Sequence, residues 1–118
     1  MEDRRARELV GRERARVESM LAELSSEIRG EGSLQRQQTG EYEDAGTTLD
    51  AESVAVALVA DLRAQLAAVA RAEERIARGT YGRSVESGLL IPDDRLEAEP
   101  LAERTTEEQR HFEHGGPA

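Results

Sequence analysis

The sequence predicts a mostly α-helical fold, in which a long antiparallel coiled-coil hairpin is followed by a small module and a short C-terminal helix. Three observations predict it. Apolar residues recur at helical spacing through two long segments, a glycine-containing stretch separates those segments, and aromatic residues make up only 3% of the 118-residue chain. So few large apolar side chains suit a core that is a stripe between helices, not a thick globular interior.

The first segment, residues 3–29, is predicted to be an amphipathic helix with a coiled-coil seam. Val10, Val17 and Leu24 recur every seven residues, and Leu21 and Ile28 form a second row beside them. Arginine and glutamate fill most of the remaining positions. At about 1.5 Å per residue, this helix would be roughly 40 Å long.

A tip loop around residues 30–48 and a second helix over residues 50–78 are predicted next. Glycines break the helical pattern in the loop, and the helix then has one apolar face with alanine at many flanking positions. That face comprises Val54, Leu58, Leu62, Leu66, Val69 and Ile76. Gly79 is the expected C-terminal cap. Two helices of similar length joined by one loop should fold back as an antiparallel hairpin over residues 1–79.

Residues 80–118 form the second predicted region, a turn-rich module that ends in a short helix. Residues 105–108 read Thr-Thr-Glu-Glu, the form of a capping box, in which Thr105 caps the last helix and Glu108 reaches back to the Thr105 backbone N–H. Apolar contacts within the module are expected from Tyr81, Val85, Leu90, Ile91, Leu96 and Leu101.

The formal net charge of −9 argues against direct binding to DNA or RNA, which requires a basic surface. The charge is uneven, because residues 37–62 contain six acidic residues and no basic one. Two interpretations fit this stretch. It is either a solvated acidic loop or an acidic tip directed at a basic or metal-bearing partner.

Several chemistries are not expected. The chain has no cysteine, so it has no disulfide and no thiolate metal site. It contains no unbroken apolar run of 18 residues and no signal-peptide pattern, which predicts a soluble cytoplasmic protein without a membrane segment. No nucleophile elbow or phosphate-binding loop is present, so we do not expect an enzyme. His111 and His114, with Glu107 or Glu108 a turn earlier, could hold Zn²⁺, the alternative being a polar helix end with two exposed imidazoles.

Residues 78–108 resemble the zinc module of the DksA/TraR family of RNA-polymerase-binding regulators. That module reads approximately G-x-Y-G-x-C-x-x-C-G-x-x-I-x-x-x-R-L-x-A-x-P-x-A-x-x-C-x-x-C. The matching residues of this chain are Gly79, Tyr81, Gly82, Gly88, Ile91, Arg95, Leu96, Ala98, Pro100 and Ala102. The helical hairpin before the module also agrees with the family's architecture, so the resemblance covers nearly the whole chain.

The four zinc-ligand positions of the family fall on Ser84, Ser87, Thr105 and Glu108. Hydroxyls are poor zinc ligands and one carboxylate does not compensate for them. We therefore predict a degenerate zinc-finger-like module that folds without zinc. Thr105 and Glu108 would start the last helix, and Ser84 and Ser87 would stabilise a turn. No cofactor is predicted, and the residues do not decide whether the chain responds to guanosine tetraphosphate.

The resemblance also assigns a role to the acidic tip. In the family, the hairpin enters the secondary channel of RNA polymerase and its tip acts near the catalytic centre. The family's tip pattern, approximately D-x-x-D-x-A, falls on Glu41, Asp44 and Gly46. Glutamate replaces the first aspartate and glycine replaces the alanine, which leaves the strength and the sign of any regulatory effect open. The alternative is that Glu41 and Asp44 are ordinary acids of a loop.

The resemblance implies a bacterial, cytoplasmic and monomeric transcription regulator whose partner is RNA polymerase. Arg95 matches a family position and would contact the polymerase or an effector, or it would pair internally with Glu97 or Glu99. The competing prediction is a coiled-coil interaction or adaptor protein that kept the scaffold and has a different partner. That protein would form a stable oligomer or bind another target.

Overall fold

The structure, a computed structural model, describes residues 1–26 and 45–115, with the side chains of residues 1–26 and 53–115. These ranges are mostly helical and contain no β-strand. Within the described residues, four helices follow one another: α1 (Asp3–Ser26), α2 (Ala45–Arg78), α3 (Asp93–Ala98) and α4 (Thr106–Glu113). The two long predicted helices and the short terminal helix are present, and α3 was not predicted.

The start of α2 lies earlier than the sequence predicted. Residues 45–48 were assigned to the tip loop, whereas the helix begins at Ala45 and includes Gly46. A glycine costs up to about 1 kcal/mol relative to alanine inside a helix. Gly46 is in the first turn, where backbone N–H groups have no intrahelical partner, and many alanines follow it. The helix therefore extends through a glycine that the sequence had assigned to the tip loop.

The end of α2 agrees with the prediction. Gly79 has a φ of +77°, and its N–H donates to the Ile76 carbonyl at 3.1 Å. The Thr80 N–H donates to the Arg75 carbonyl at 2.8 Å. These two bonds form a Schellman motif, which requires a left-handed residue just after the helix and therefore favours glycine. The chain ends α2 with this motif and continues into the C-terminal module.

The chain divides into two compact units, and α1 and α2 each contribute to both. The first unit contains Met1–Glu13 and Ala68–Ala118. Its core holds the buried residues Val10, Val69 and Ala72, against which Ile76, Tyr81 and Leu101 pack. Arg5 of α1 also makes two hydrogen bonds to the Glu97 carboxylate of α3, at 2.7 and 2.6 Å. The module is thus packed against the beginning of α1 and the end of α2.

The second unit, Arg14–Ala67, contains the remainder of the two long helices. Val17, Val59 and Leu62 are buried there. Arg16 donates to Gln65 at 3.0 Å, and Gln65 donates to Asp61 at 2.8 Å. Burial of apolar residues along one side of each helix, with polar bonds beside them, is the pattern expected for helices packed along a stripe.

Part of the predicted apolar seam is wrong. Val10, Val17, Leu62 and Val69 are buried as expected. Val54 and Leu58, by contrast, are 59% and 49% exposed, and Val59 is buried in their place. Ile28 lies outside the described residues. The error arose because residues 54–60 are entirely apolar, so more than one stripe of helical period fits them.

One stretch of α2, Ser53–Arg78, is long and apolar enough by length and composition to cross a membrane. Asp61 and Arg63 interrupt it, which is why no unbroken apolar run was found in the sequence. A single helix of this kind is weak support for a membrane protein, because core helices of soluble proteins pass the same test.

Candidate functional site

Of the four positions that the sequence analysis predicted to correspond to zinc ligands, the first two lie in a tight turn after α2. Gly82 has a φ of +88°, and its carbonyl accepts from the Ile91 N–H at 2.8 Å. Further along, the Ser84 N–H donates to the Leu89 carbonyl at 2.8 Å, and the Gly88 N–H donates back to the Ser84 carbonyl at 2.9 Å. These bonds reverse the chain between residues 82 and 91.

The two serines stabilise this turn, as predicted. Ser84 is buried, and its hydroxyl oxygen accepts from the backbone N–H groups of Glu86 at 3.0 Å and Ser87 at 3.2 Å. The Ser87 hydroxyl oxygen accepts from the Leu89 N–H at 3.2 Å. Serine hydroxyls commonly satisfy backbone donors in turns in this way. Both hydroxyl hydrogens remain free to donate elsewhere.

The other two positions start α4. The Thr105 hydroxyl oxygen accepts from the Glu108 N–H at 3.2 Å, and the Glu108 carboxylate accepts from the Thr105 N–H at 2.9 Å. This is the capping box that the sequence predicted. It satisfies two backbone donors at a helix start, where four such groups lack intrahelical partners.

Glu108 connects the turn to the helix. The Thr105 N–H donates to its carboxylate. The hydroxyls of Ser84 and Ser87, and then this N–H, favour the charged form and lower the pKa of Glu108 from its ordinary 4.5 to about 2. The structure therefore brings all four positions together. We call Ser84, Ser87, Thr105 and Glu108 the hydroxyl–carboxylate cluster. The sequence predicted the turn and the cap separately and did not predict that the two serine hydroxyls would influence Glu108.

The hydroxyl–carboxylate cluster does not fit zinc. A structural zinc site needs four soft or borderline donors in a tetrahedron. The hydroxyl–carboxylate cluster offers three hydroxyls and one carboxylate, and that carboxylate already accepts a hydrogen bond from the Thr105 N–H. Within residues 1–26 and 45–115, no group of three or more His, Cys, Asp or Glu residues is placed to hold a metal ion. The alternative site at His111 and His114 gains no support, because no carboxylate joins them in such a group.

Arg104 holds α4 from a second side. Its guanidinium lies 3.9 Å from the centre of the Phe112 ring, in cation–π geometry. Its Nε also donates to the Glu86 carboxylate in the turn. The turn and the last helix are thus linked both through the hydroxyl–carboxylate cluster and through Arg104.

Arg95 is engaged within the module. Its Nε donates to the Arg104 carbonyl at 3.0 Å, and its Nη1 lies 3.6 Å from the Glu99 carboxylate. Of the two predicted internal partners, Glu99 is the one used, since Glu97 bonds Arg5. The guanidinium side chain is 15% exposed, so a role in contacting a polymerase or an effector stays a prediction.

Two of the three predicted tip residues, Glu41 and Asp44, lie outside the described residues. Gly46 lies in the first turn of α2. The proposed action of this tip on a partner therefore stays a prediction.

A carboxylate that the sequence did not single out, Glu103, joins α2 to the module. Arg71 and Arg75 both donate to it, each with one bond of 2.9 Å. No sequence pattern pointed to this group, because Glu103 lies 32 and 28 positions from the two arginines along the chain. Arginines and acidic residues are interspersed along most of the sequence, so the charge pattern did not single out these three.

Comparison with known proteins gives a match at the level of the fold. No protein-family model matches the chain, and no curated protein matches its sequence. A solved structure described as transcription factor DksA2 from Pseudomonas aeruginosa matches with a TM-score of 0.79 and 23% sequence identity. The match covers 95% of this chain and 83% of that one. The chain therefore has a DksA-like fold, and the resemblance predicted from its residues is confirmed at the level of the fold.

Proposed function

We propose that this protein is a transcription regulator that binds RNA polymerase through the secondary channel and acts there without zinc. The observation that carries the proposal is the fold match, which extends over 95% of the chain to a protein described as a transcription factor. The match points to a non-enzymatic protein of this class. Function does not follow from fold alone, so the residues of the tip and of the module supply the rest of the proposal.

The first supporting feature is the pair of long helices, which we interpret as an antiparallel coiled-coil hairpin. Val10 and Val17 of α1 are buried seven residues apart, and so are Leu62 and Val69 of α2. A seven-residue repeat of buried apolar positions is characteristic of coiled coils. A hairpin of this kind would be narrow enough to enter a channel.

The second feature is the acidic character of that connecting segment. Glu41 and Asp44 would act near the polymerase catalytic centre, with Gly46 loosening the backbone behind them. Carboxylates there would form hydrogen bonds with basic or hydroxyl groups of mobile catalytic elements, or alter Mg²⁺ coordination. The net charge of −9 favours a protein partner over direct contact with DNA or RNA.

The third feature is the hydroxyl–carboxylate cluster, which joins the turn to α4 at the positions of the family's zinc ligands. We infer that it takes over the structural task of the metal. The module would then fold in a soluble, cytoplasmic, monomeric protein with no cofactor.

The test combines native mass measurement with a transcription assay, using purified bacterial RNA polymerase. Wild type should bind one to one, and a chelator should change nothing. Asp44→Ala and Asp44→Asn should still bind but lose the effect on transcription. The matched control is Asp50→Ala, which removes another acid of the same stretch outside the tip pattern. If the wild type does not bind, the polymerase assignment is wrong and the fold assignment is unaffected.

An adaptor protein with a different partner is the second candidate. It is favoured by the exposure of Val54, Val56 and Leu58, which present apolar side chains to solvent in one region of α2. Light scattering during gel filtration separates the two candidates. A stable oligomer that does not bind polymerase would support the adaptor.

A further inference from the structure

We propose that Glu103 is the positioning residue that sets the orientation of the C-terminal module on α2. An effect of Glu103 on regulation rests on the proposed function, because a module in the wrong orientation would misplace the hairpin on the polymerase. The structural part of the proposal stands on the geometry of the first compact unit alone.

The Glu103 carboxylate is held from two successive turns of α2. Arg71 donates through Nε at 2.9 Å and through Nη2 at 3.4 Å. Arg75 donates through Nη1 at 2.9 Å to the same oxygen that Arg71 Nε contacts. A carboxylate bound by an arginine fork has little freedom to rotate, because both of its oxygens are engaged in a planar arrangement.

The backbone of Glu103 makes the third attachment. Its carbonyl accepts from the Val85 N–H at 2.9 Å, in the turn that carries Ser84 and Ser87. One residue thus connects α2, the turn and the segment that leads into α4. The two arginines fix the side chain of Glu103 on α2, and the backbone bond fixes the same residue to the turn, so Glu103 couples the module to α2.

The two arginines depend on Glu103 to different degrees. The Arg75 side chain is 12% exposed, and that of Arg71 is 55% exposed. Within the described residues, Nε and Nη2 of Arg75 are buried without a hydrogen-bond partner. Arg71 can turn to water when the carboxylate is removed, and Arg75 cannot. A buried charge left without its partner is strongly unfavourable.

The ionisation of Glu103 agrees with this geometry. Partial burial alone would raise the pKa of its carboxyl group. The hydrogen bond from Arg71 and the positive charges of Arg71, Arg75 and Arg104 outweigh burial, so the pKa of Glu103 is lowered. The carboxylate is therefore charged at neutral pH and available to both arginines.

Nearby apolar contacts hold the module against α1 and α2 without fixing its orientation. Tyr81 and Leu101 of the module pack against the core of Val10, Val69 and Ala72. Apolar burial is non-directional, while hydrogen bonds to a charged group require defined angles. A buried ion pair is often replaceable by apolar residues without loss of stability. Stability and orientation can therefore be separated by mutation.

The test measures a distance between α2 and α4. Because the chain has no cysteine, nitroxide labels can be placed at Ala77→Cys and Arg110→Cys without other changes, both positions being exposed. Double electron–electron resonance should give a single narrow distance in the otherwise wild-type protein. The Glu103→Leu variant should show a broad distance distribution and a lower melting temperature.

The deciding variant is Arg75→Met combined with Glu103→Leu, which removes the buried charge together with its partner. We expect the melting temperature to recover while the distance distribution stays broad. If the distribution becomes narrow again, Glu103 acts only through stability and the proposal is overturned. Glu99→Leu is the matched control, because it removes an exposed carboxylate of the module and should keep the narrow distance.

Polymerase binding is a separate arm of the experiment. If the wild type binds, the folded double variant should bind more weakly. Unchanged affinity would overturn the link between module orientation and regulation. Failure of the wild type to bind overturns the proposed function, and the distance measurement still decides the role of Glu103.

Discussion

Thr105 and Glu108 bind each other in both directions, with the Thr105 hydroxyl oxygen 3.2 Å from the Glu108 backbone nitrogen and the Glu108 carboxylate 2.9 Å from the Thr105 backbone nitrogen. The hydroxyls of Ser84 and Ser87 also favour the charged form of this carboxylate and lower the pKa of Glu108. A helix cap and a turn are thereby joined through a single charged group. The stability of this module should therefore respond to pH.

The first prediction concerns pH. The pKa of Glu108 is about 2 in the folded protein and 4.5 ordinarily, so the unfolded chain binds more protons between these values. Its contribution to stability is therefore complete above about pH 4.5 and is lost as the pH falls towards about 2. The urea midpoint, measured at pH 7 and pH 3, should decrease for the wild type.

Glu108→Gln identifies the group responsible for this pH dependence. The variant should be less stable at pH 7 and should show a smaller decrease between pH 7 and pH 3. Glu107→Gln, at an exposed position of the same helical turn, is the control and should retain the wild-type decrease. Equal pH dependence in all three proteins would show that Glu108 is not the titrating group.

The second prediction concerns the cap of α4. Thr105→Ala removes the oxygen that accepts from the Glu108 N–H, and should lower the free energy of unfolding by about 1 kcal/mol. Thr106→Ala, one residue into the helix, should change it by less than about 0.5 kcal/mol. Chemical denaturation of the two variants compares these values directly. A similar loss in both would mean that helix propensity, and not the cap, is responsible.

The third prediction separates the buried from the exposed apolar residues of the module. Leu96 is 1% exposed. It packs against Gly82, since a Cβ added at that glycine would lie 3.5 Å from a methyl carbon of Leu96. Leu96→Ala should destabilise the protein by roughly 2–5 kcal/mol, through lost burial and the cavity that remains. Leu90→Ala, at a residue that is 68% exposed, should cost less than about 0.5 kcal/mol. Comparable losses would contradict the placement of these two side chains.

The fourth prediction tests whether the four positions correspond to zinc ligands. Replacing Ser84, Ser87, Thr105 and Glu108 together by cysteine should create a site that binds one Zn²⁺ per chain, since four thiolates are suitable ligands. A chelator should then lower the melting temperature of this variant and leave that of the wild type unchanged. Native mass spectrometry measures the stoichiometry. A variant that folds but takes up no zinc would show that the correspondence is wrong.

The amino-acid sequence by itself determined the local features of this protein. The helical period, the left-handed glycine after α2, the capping box at Thr105 and the serine turn each depend on residues within about one or two helical turns of each other. All of them are observed. The sequence also excluded a thiolate zinc site, since a chain without cysteine cannot supply one.

The tertiary structure decided everything that depends on residues distant along the chain. It selected Val59 over Val54 and Leu58 as the buried residue, because all three satisfy the local pattern and only the partner surface discriminates among them. It also left Val85 and Leu90 exposed, where the sequence had predicted apolar contacts within the module. An isolated tight turn has too few neighbours to bury every apolar side chain it carries.

The contacts between separate elements were also decided by the tertiary structure. Glu108 meets Ser84 and Ser87 across more than twenty residues, and Glu103 meets Arg75 across 28. Charges and hydroxyls are common in this sequence, so no local pattern distinguishes the ones that will bond. Their partners are chosen by the packing of the module on α1 and α2, which is a property of the folded chain.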